Sequence, residues 1–139
     1  MRKIFFLFLL AMFSACGHTY TDEELQGING YWEIEKVVMP DGTEKDYKIN
    51  STIDFFEIKG NSGYRKKVMP QVDGTYIVNS LSEKLELIKT DEGEVILHYT
   101  TDYADWKEQL VKLDQDKLVI KNQHDITYYY KKPQPFTVK

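Results

Sequence analysis

Side chains able to do chemistry are few and far apart in this 139-residue chain. The one cysteine, Cys16, and the three histidines, His18, His98 and His124, are scattered over the N-terminal segment, a β-patterned stretch and a turn. No zinc spacing can be assembled from them. His98 alternates with Leu97 and Tyr99 and reads as a solvated strand residue. A hydrolase triad would need a nucleophile on a sharp turn, and no Gly-x-Ser-x-Gly elbow is present. Glu33 and Glu35 share a strand face, but Trp32 and Ile34 take the apolar side and leave the glutamates to water. Asp91-Glu92-Gly93-Glu94 and Asp114-Gln115-Asp116 lack the pattern and length of a calcium loop and read as turns. No catalytic residue, metal ligand or cofactor is assigned, which makes an enzyme the weakest class.

Arg65-Lys66-Lys67 is the local charge run. In a strand its members alternate, so Arg65 and Lys67 share a face with Met69, and Lys66 shares the other with Tyr64 and Val68. If the Tyr64 face points inward, Lys66 becomes a cation suited to an anionic head group such as a fatty carboxylate. If the strand twists at a rim, Lys66 snorkels to water instead.

These residues sit on an acidic background of 22 Asp+Glu against 18 Lys+Arg, a formal charge of -4. Removing Arg2 and Lys3 with a leader leaves 16 basic against 22 acidic, or -6. The electrostatic drive for nucleic-acid binding is missing. Ten Tyr, seven Phe and two Trp provide enough apolar surface for one folded domain.

Arg2-Lys3 precedes an apolar run from Ile4 to Phe13, short of the roughly 20 residues a membrane-crossing helix needs. It reads as a signal peptide. Phe13-Ser14-Ala15-Cys16 resembles the lipobox of bacterial lipoproteins, which implies that Cys16 is acylated and becomes the mature N-terminus. Gly17, where an aspartate would retain the protein, implies passage to the outer membrane, facing the periplasm or the surface. Asp22-Glu23-Glu24 resembles a surface-export tag of Bacteroidetes lipoproteins, but lies several residues downstream of the cysteine, and a capping box of Thr21 with Glu24 on a short helix ended by Gly27 accounts for it better.

Nine short β-patterned segments follow, at 31–39, 52–59, 64–69, 75–79, 84–90, 94–101, 106–113, 117–122 and 126–132, separated by turn clusters such as Pro40-Asp41-Gly42 and Asp73-Gly74. Short connections imply antiparallel neighbours. Alternation in Lys84-Leu85-Glu86-Leu87 and Lys117-Leu118-Val119-Ile120-Lys121 gives one apolar and one solvated face. A transmembrane barrel would show the reverse arrangement. The expected fold is all-β: a single antiparallel up-and-down barrel of eight or nine strands, preceded by a short helical turn. Trp32, Ile34, Ile53, Phe55, Leu85, Leu87, Leu97, Tyr99, Leu110, Leu118, Ile120, Tyr128 and Tyr130 can all turn inward in such a sheet.

Gly30-Tyr31-Trp32, at the first strand just behind a helical turn, resembles the opening motif of lipocalins. The stretch from Trp106 to Tyr130 is similar to the closing strands of small lipocalin-like lipoproteins of Bacteroidetes. The resemblance implies that Gly30 and Trp32 are structural, with Trp32 plugging one barrel end. Lipocalins also place an arginine on the last strand across that tryptophan, whereas here Lys131-Lys132 follow Tyr128-Tyr129-Tyr130, and Pro133 and Pro135 leave no room for a long closing helix.

The expected organisation is a signal peptide (1–15), a lipidated N-terminus and tether (16–24, flexible to about Tyr20), a lipocalin-like barrel (25–132) and a tail (133–139). Two functions compete. In one, the barrel binds a small apolar or amphipathic ligand through Tyr64, Lys66, Tyr99, Tyr128 and Tyr130, with tyrosine hydroxyls at a wet mouth. In the other, a solid-core barrel docks onto another envelope protein.

Overall fold

The computed structural model describes residues 19–48 and 52–133. Cys16, the leader and residues 134–139 of the tail therefore lie outside the described residues. The chain opens with a short helix α1 (Asp22–Leu25), which passes into a 3-10 turn (Gln26–Ile28). The capping box at its start is formed: the Glu24 N–H donates to Thr21 Oγ1 at 3.1 Å, and the Thr21 N–H donates to the Glu24 carboxylate at 3.4 Å. Gly27 does not stop the helix as expected. It lies inside the 3-10 turn, which ends at Asn29.

Nine strands follow: β1 (Gly30–Val38), β2 (Glu44–Asp46), β3 (Ile53–Lys59), β4 (Ser62–Pro70), β5 (Tyr76–Lys89), β6 (Val95–Thr100), β7 (Asp105–Leu113), β8 (Lys117–Asn122) and β9 (Thr127–Lys131). Every pairing is antiparallel, and β1 pairs with both β3 and β9, so β1 and β3–β9 close into an eight-stranded barrel. The short β2 lies outside that ring, on the far half of β1, with Glu44, Lys45 and Asp46 all exposed. Charge on so short an edge discourages further pairing.

The strand count matches the expected upper number for a different reason. The segments at 75–79 and 84–90 are one strand, β5, because no glycine or proline interrupts 80–83, while β2 was not foreseen. Bulges at Ile34/Lys36 in β1 and Leu110/Lys112 in β7 reset the alternation. They keep Val37 paired with Tyr128 and Leu113 paired with Leu118. Gly63 is fixed by close approach: a Cβ there would lie 1.8 Å from the Glu57 carbonyl oxygen.

One end of the barrel is packed solid. Leu25, Ile28, Trp32, Phe56, Leu85, Leu97, Leu118 and Ile120 are all but inaccessible to solvent. Each contributes about 1.5–3 kcal/mol of burial. The Trp32 indole N–H donates to the Ile28 carbonyl at 2.8 Å, which satisfies its polar edge inside the plug. The Asn29 side chain clamps this turn to β3, donating to the Ile58 carbonyl at 3.0 Å and accepting the Ile58 N–H at 2.5 Å. Tyr20, expected on a flexible tether, is instead buried against this plug, and its hydroxyl accepts the Leu113 N–H at 2.9 Å.

Candidate functional site

The opposite half of the barrel is lined differently. Asp54, Arg65, Glu83 and Glu108 come from four strands, and register turns all four toward the axis. Asp54 pairs with Trp32 across β1–β3, and Phe56, two residues on, pairs with Arg65 across β3–β4. The even residues of β3 (Asp54, Phe56 and Ile58) are therefore the inward ones. Residues Asp54, Arg65 and Glu108 are only 3%, 8% and 7% exposed.

Arg65 organises the cluster. Its Nε–H donates to Glu83 Oε2 at 2.7 Å, one terminal nitrogen lies 2.5 Å from the same oxygen, and the other lies 3.3 Å from Glu108 Oε1. Its guanidinium carbon sits 4.1 Å from the centre of the Tyr99 ring and 6.0 Å from that of Phe56. Trp106 stacks on Tyr99 at 5.4 Å. Lys67, half exposed, reaches Asp54 Oδ1 at 2.5 Å.

Burial dominates the protonation of these groups. It raises the Glu108 carboxyl, and Arg65 beside it pulls only part of the way back. For Arg65, burial works against the charge, but the acidic groups packed around it, Asp54 and Glu83 among them, outweigh it and hold the guanidinium above its ordinary value. Burial also pushes Tyr99 and Tyr130 well up, so both are neutral phenols near pH 7.

A cleft of about 790 Å³ opens beside the cluster, large enough for a small-molecule guest. Tyr64, Ser82 and Lys84 form one side, Thr100 to Tyr103 the other, and Lys67 and Glu83 belong both to its wall and to the inner cluster. Leu81 and Tyr103 at its edge are largely exposed.

The predicted site residues divide. Tyr99, Tyr128 and Tyr130 face the interior, though Tyr99 and Tyr130 are buried rather than at a wet mouth. Tyr128 is half buried, and its hydroxyl accepts from the Asn122 amide at 3.3 Å. Tyr64 and Lys66 do not face the barrel axis, although Tyr64 borders the cleft. Lys66 pairs with Phe55 on the outer face and stands 4.6 Å over the Tyr64 ring, whose hydroxyl bonds the Glu57 carboxylate. Ile53 and Phe55 likewise belong to the outer face, where Phe55 packs against Tyr31, itself stacked on Tyr76 at 4.2 Å. Phe55-Phe56 allows either phase of β3, and the phase that buries Ile58 is the one adopted.

Gly30 and Trp32 stand at the closed end. Lys132 Nζ lies 3.8 Å from the centre of the Trp32 ring, so a lysine takes the place where the lipocalin pattern leads one to expect an arginine. Burial lowers its pKa, consistent with a cation withdrawn onto the indole face. Gly30 has φ +114°, and a Cβ there would lie 3.6 Å from that ammonium.

A closed eight-stranded antiparallel barrel, plugged at one end by a short helix and a Gly-x-Trp tryptophan under a basic side chain, is a lipocalin-like fold. A lipocalin-like protein from Bacteroides uniformis superposes with a TM-score of 0.50 at 12% identity, over 76% of this chain and 98% of that one. An uncharacterized protein from Bacteroides eggerthii gives 0.49 at 13%, over 76% and 98%. Apocrustacyanin C1 gives 0.48 at 9%, over 78% of this chain and 62% of that one. No family model and no curated protein matches the sequence.

Proposed function

We propose that this protein is a lipid-anchored envelope protein, tethered through Cys16 at the outer membrane, whose barrel receives a small amphipathic ligand at its open end. The observation that carries the binding reading is the 790 Å³ cleft sharing Lys67 and Glu83 with a buried polar cluster, above a solid apolar plug. The guest therefore sits beside the cluster, between the Ser82–Lys84 and Thr100–Tyr103 sides of the cleft. The short apolar leader and Phe13-Ser14-Ala15-Cys16 support the anchor. Calorimetric titration of the full chain in a non-ionic detergent with octyl amphiphiles tests the binding. Saturable heat at one molecule per chain supports it, and heat of dilution alone overturns it. Cys16→Ser shifts the protein to the soluble fraction, and retention on membranes after a salt wash would overturn the anchor.

A docking module is the second reading, favoured by Met69, Val72, Ile77 and Leu81, which leave apolar surface exposed along the β4–β5 hairpin. In that case the octyl series gives no saturable heat, and a cross-linked envelope complex is lost in Val72→Asp.

A further inference from the structure

The inner cluster is unbalanced in both charge and hydrogen bonding. Asp54, Glu83 and Glu108 supply three carboxylates against two cations, Arg65 and Lys67, with the neutral phenols Tyr99 and Tyr130 beside them. Within this cluster two oxygens shut away from solvent, Asp54 Oδ2 and the Tyr99 hydroxyl, accept no hydrogen bond among the described residues. Such groups ordinarily find partners. The Glu108 carboxylate stands beside that hydroxyl and takes up its proton-donor side, which leaves the hydroxyl oxygen open as an acceptor. Among the described residues no group of His, Cys, Asp and Glu has the arrangement of a metal site.

Lys67 shows what does fit. Its ammonium lies 2.5 Å from Asp54 Oδ1, while its stem is half exposed in the wall of the cleft. It therefore occupies the Asp54 site from the cleft side and can leave along the route by which a guest would arrive. An anionic guest would have to take Lys67 from Asp54, or Arg65 from Glu83 or Glu108, and either exchange strands a buried carboxylate.

Building on the ligand-binding reading above, we propose that the barrel selects an amphiphile with a protonated amine head group, which displaces the Lys67 ammonium from Asp54 and donates to Asp54 Oδ2 and the Tyr99 hydroxyl. The alkyl part lies toward Trp106 and the cleft. Lys67 is the chain's own stand-in for the ligand, and the inner carboxylates set the sign of the head group that can replace it.

The test compares octylammonium, octanol and octanoate by calorimetry on the full chain in non-ionic detergent, where partition into micelles is common to wild type and variants. Octylammonium binds at least tenfold tighter than octanoate. Asp54→Asn lowers octylammonium affinity about tenfold and leaves octanol unchanged. Lys67→Met raises octylammonium affinity, because the competing ammonium is gone. Should Asp54→Asn fail to fold by circular dichroism, Tyr99→Phe, which keeps the ring and removes the acceptor, must reproduce the selective loss. Octanoate binding tightest, or Lys67→Met weakening octylammonium, overturns the head-group assignment while leaving ligand binding intact. Absence of saturable heat with all three overturns the ligand-binding reading as well. Association with phosphatidylethanolamine vesicles but not with octylammonium assigns the amine to a lipid surface and overturns a free guest.

Discussion

Replacing Arg65 by methionine removes the one guanidinium that two inner carboxylates share while keeping a side chain of similar length against Tyr99 and Phe56. Breaking a buried ion pair by deleting one partner costs about 3–5 kcal/mol, because the remaining charge is left uncompensated. Here Glu108 is almost wholly enclosed, whereas the Glu83 side chain is about 24% exposed and keeps some solvation. The lower end, about 3 kcal/mol, is therefore expected at pH 7. For a domain of this size that is a fall in Tm of about 10–20 °C. Urea unfolding followed by tryptophan fluorescence reads it directly, with an unchanged slope as the sign that the native fold persists. The pH dependence gives a second handle. Without Arg65, the pull that partly offsets burial at Glu108 is gone, so its carboxyl rises further. A carboxyl raised in the folded state favours folding at low pH and loses that contribution as pH climbs through the folded value. The deficit of Arg65→Met is thus smallest near pH 4.5 and grows toward neutrality. A loss under about 1 kcal/mol at pH 7, or a deficit that shrinks as pH rises, would refute a buried, carboxylate-paired arginine.

Glu108→Gln removes the raised carboxyl itself, so wild type loses stability relative to this variant as pH rises above 4.5; parallel urea midpoints from pH 4 to 7 check the sign. Gly30→Ala places a Cβ at φ +114° and costs about 1–3 kcal/mol, read as a drop in urea midpoint. Lys132→Ala exposes the Trp32 face and costs about 1 kcal/mol, whereas Lys132→Arg keeps or improves the stacking, a contrast visible in Tm.

The barrel was legible because its evidence is local: period-two alternation in β6 and β8, and turn chemistry between strands, specify antiparallel closure without any long-range knowledge. The Trp32 plug was legible for the same reason, as a motif three residues long. The polar cluster was not. Its phase depends on β3, where Ile53 and Phe55 argue for one face and Phe56 and Ile58 for the other, and only the pairings Trp32 with Asp54 and Phe56 with Arg65 decide between them. Choosing the wrong phase there exchanges Lys66 for Arg65 on the neighbouring strand and hides Asp54, Glu83 and Glu108 among residues that look solvated. Phe56 and Ile58, inward and buried, were the sequence signals that favoured the adopted phase. The fusion of two expected strands into β5 escaped for a related reason, since Ser80-Leu81-Ser82 resembles a loop in composition but has no residue that stops a strand.

Tyr20 and the plug give the molecule a polarity. Tyr20 is buried at the closed end, and Cys16 lies only four residues before it, a span of at most about 14 Å of chain. With the acyl chains proposed for Cys16 in the bilayer, the solid end of the barrel would face the lipid and the Thr100–Tyr103 side of the cleft would open away from it. Strands of nine residues tilted as in such barrels set the two ends about 20–25 Å apart. A guest would then enter from the aqueous compartment rather than by lateral transfer from the leaflet. The protein would work as an upright cup on a short stem, sampling what diffuses past the membrane.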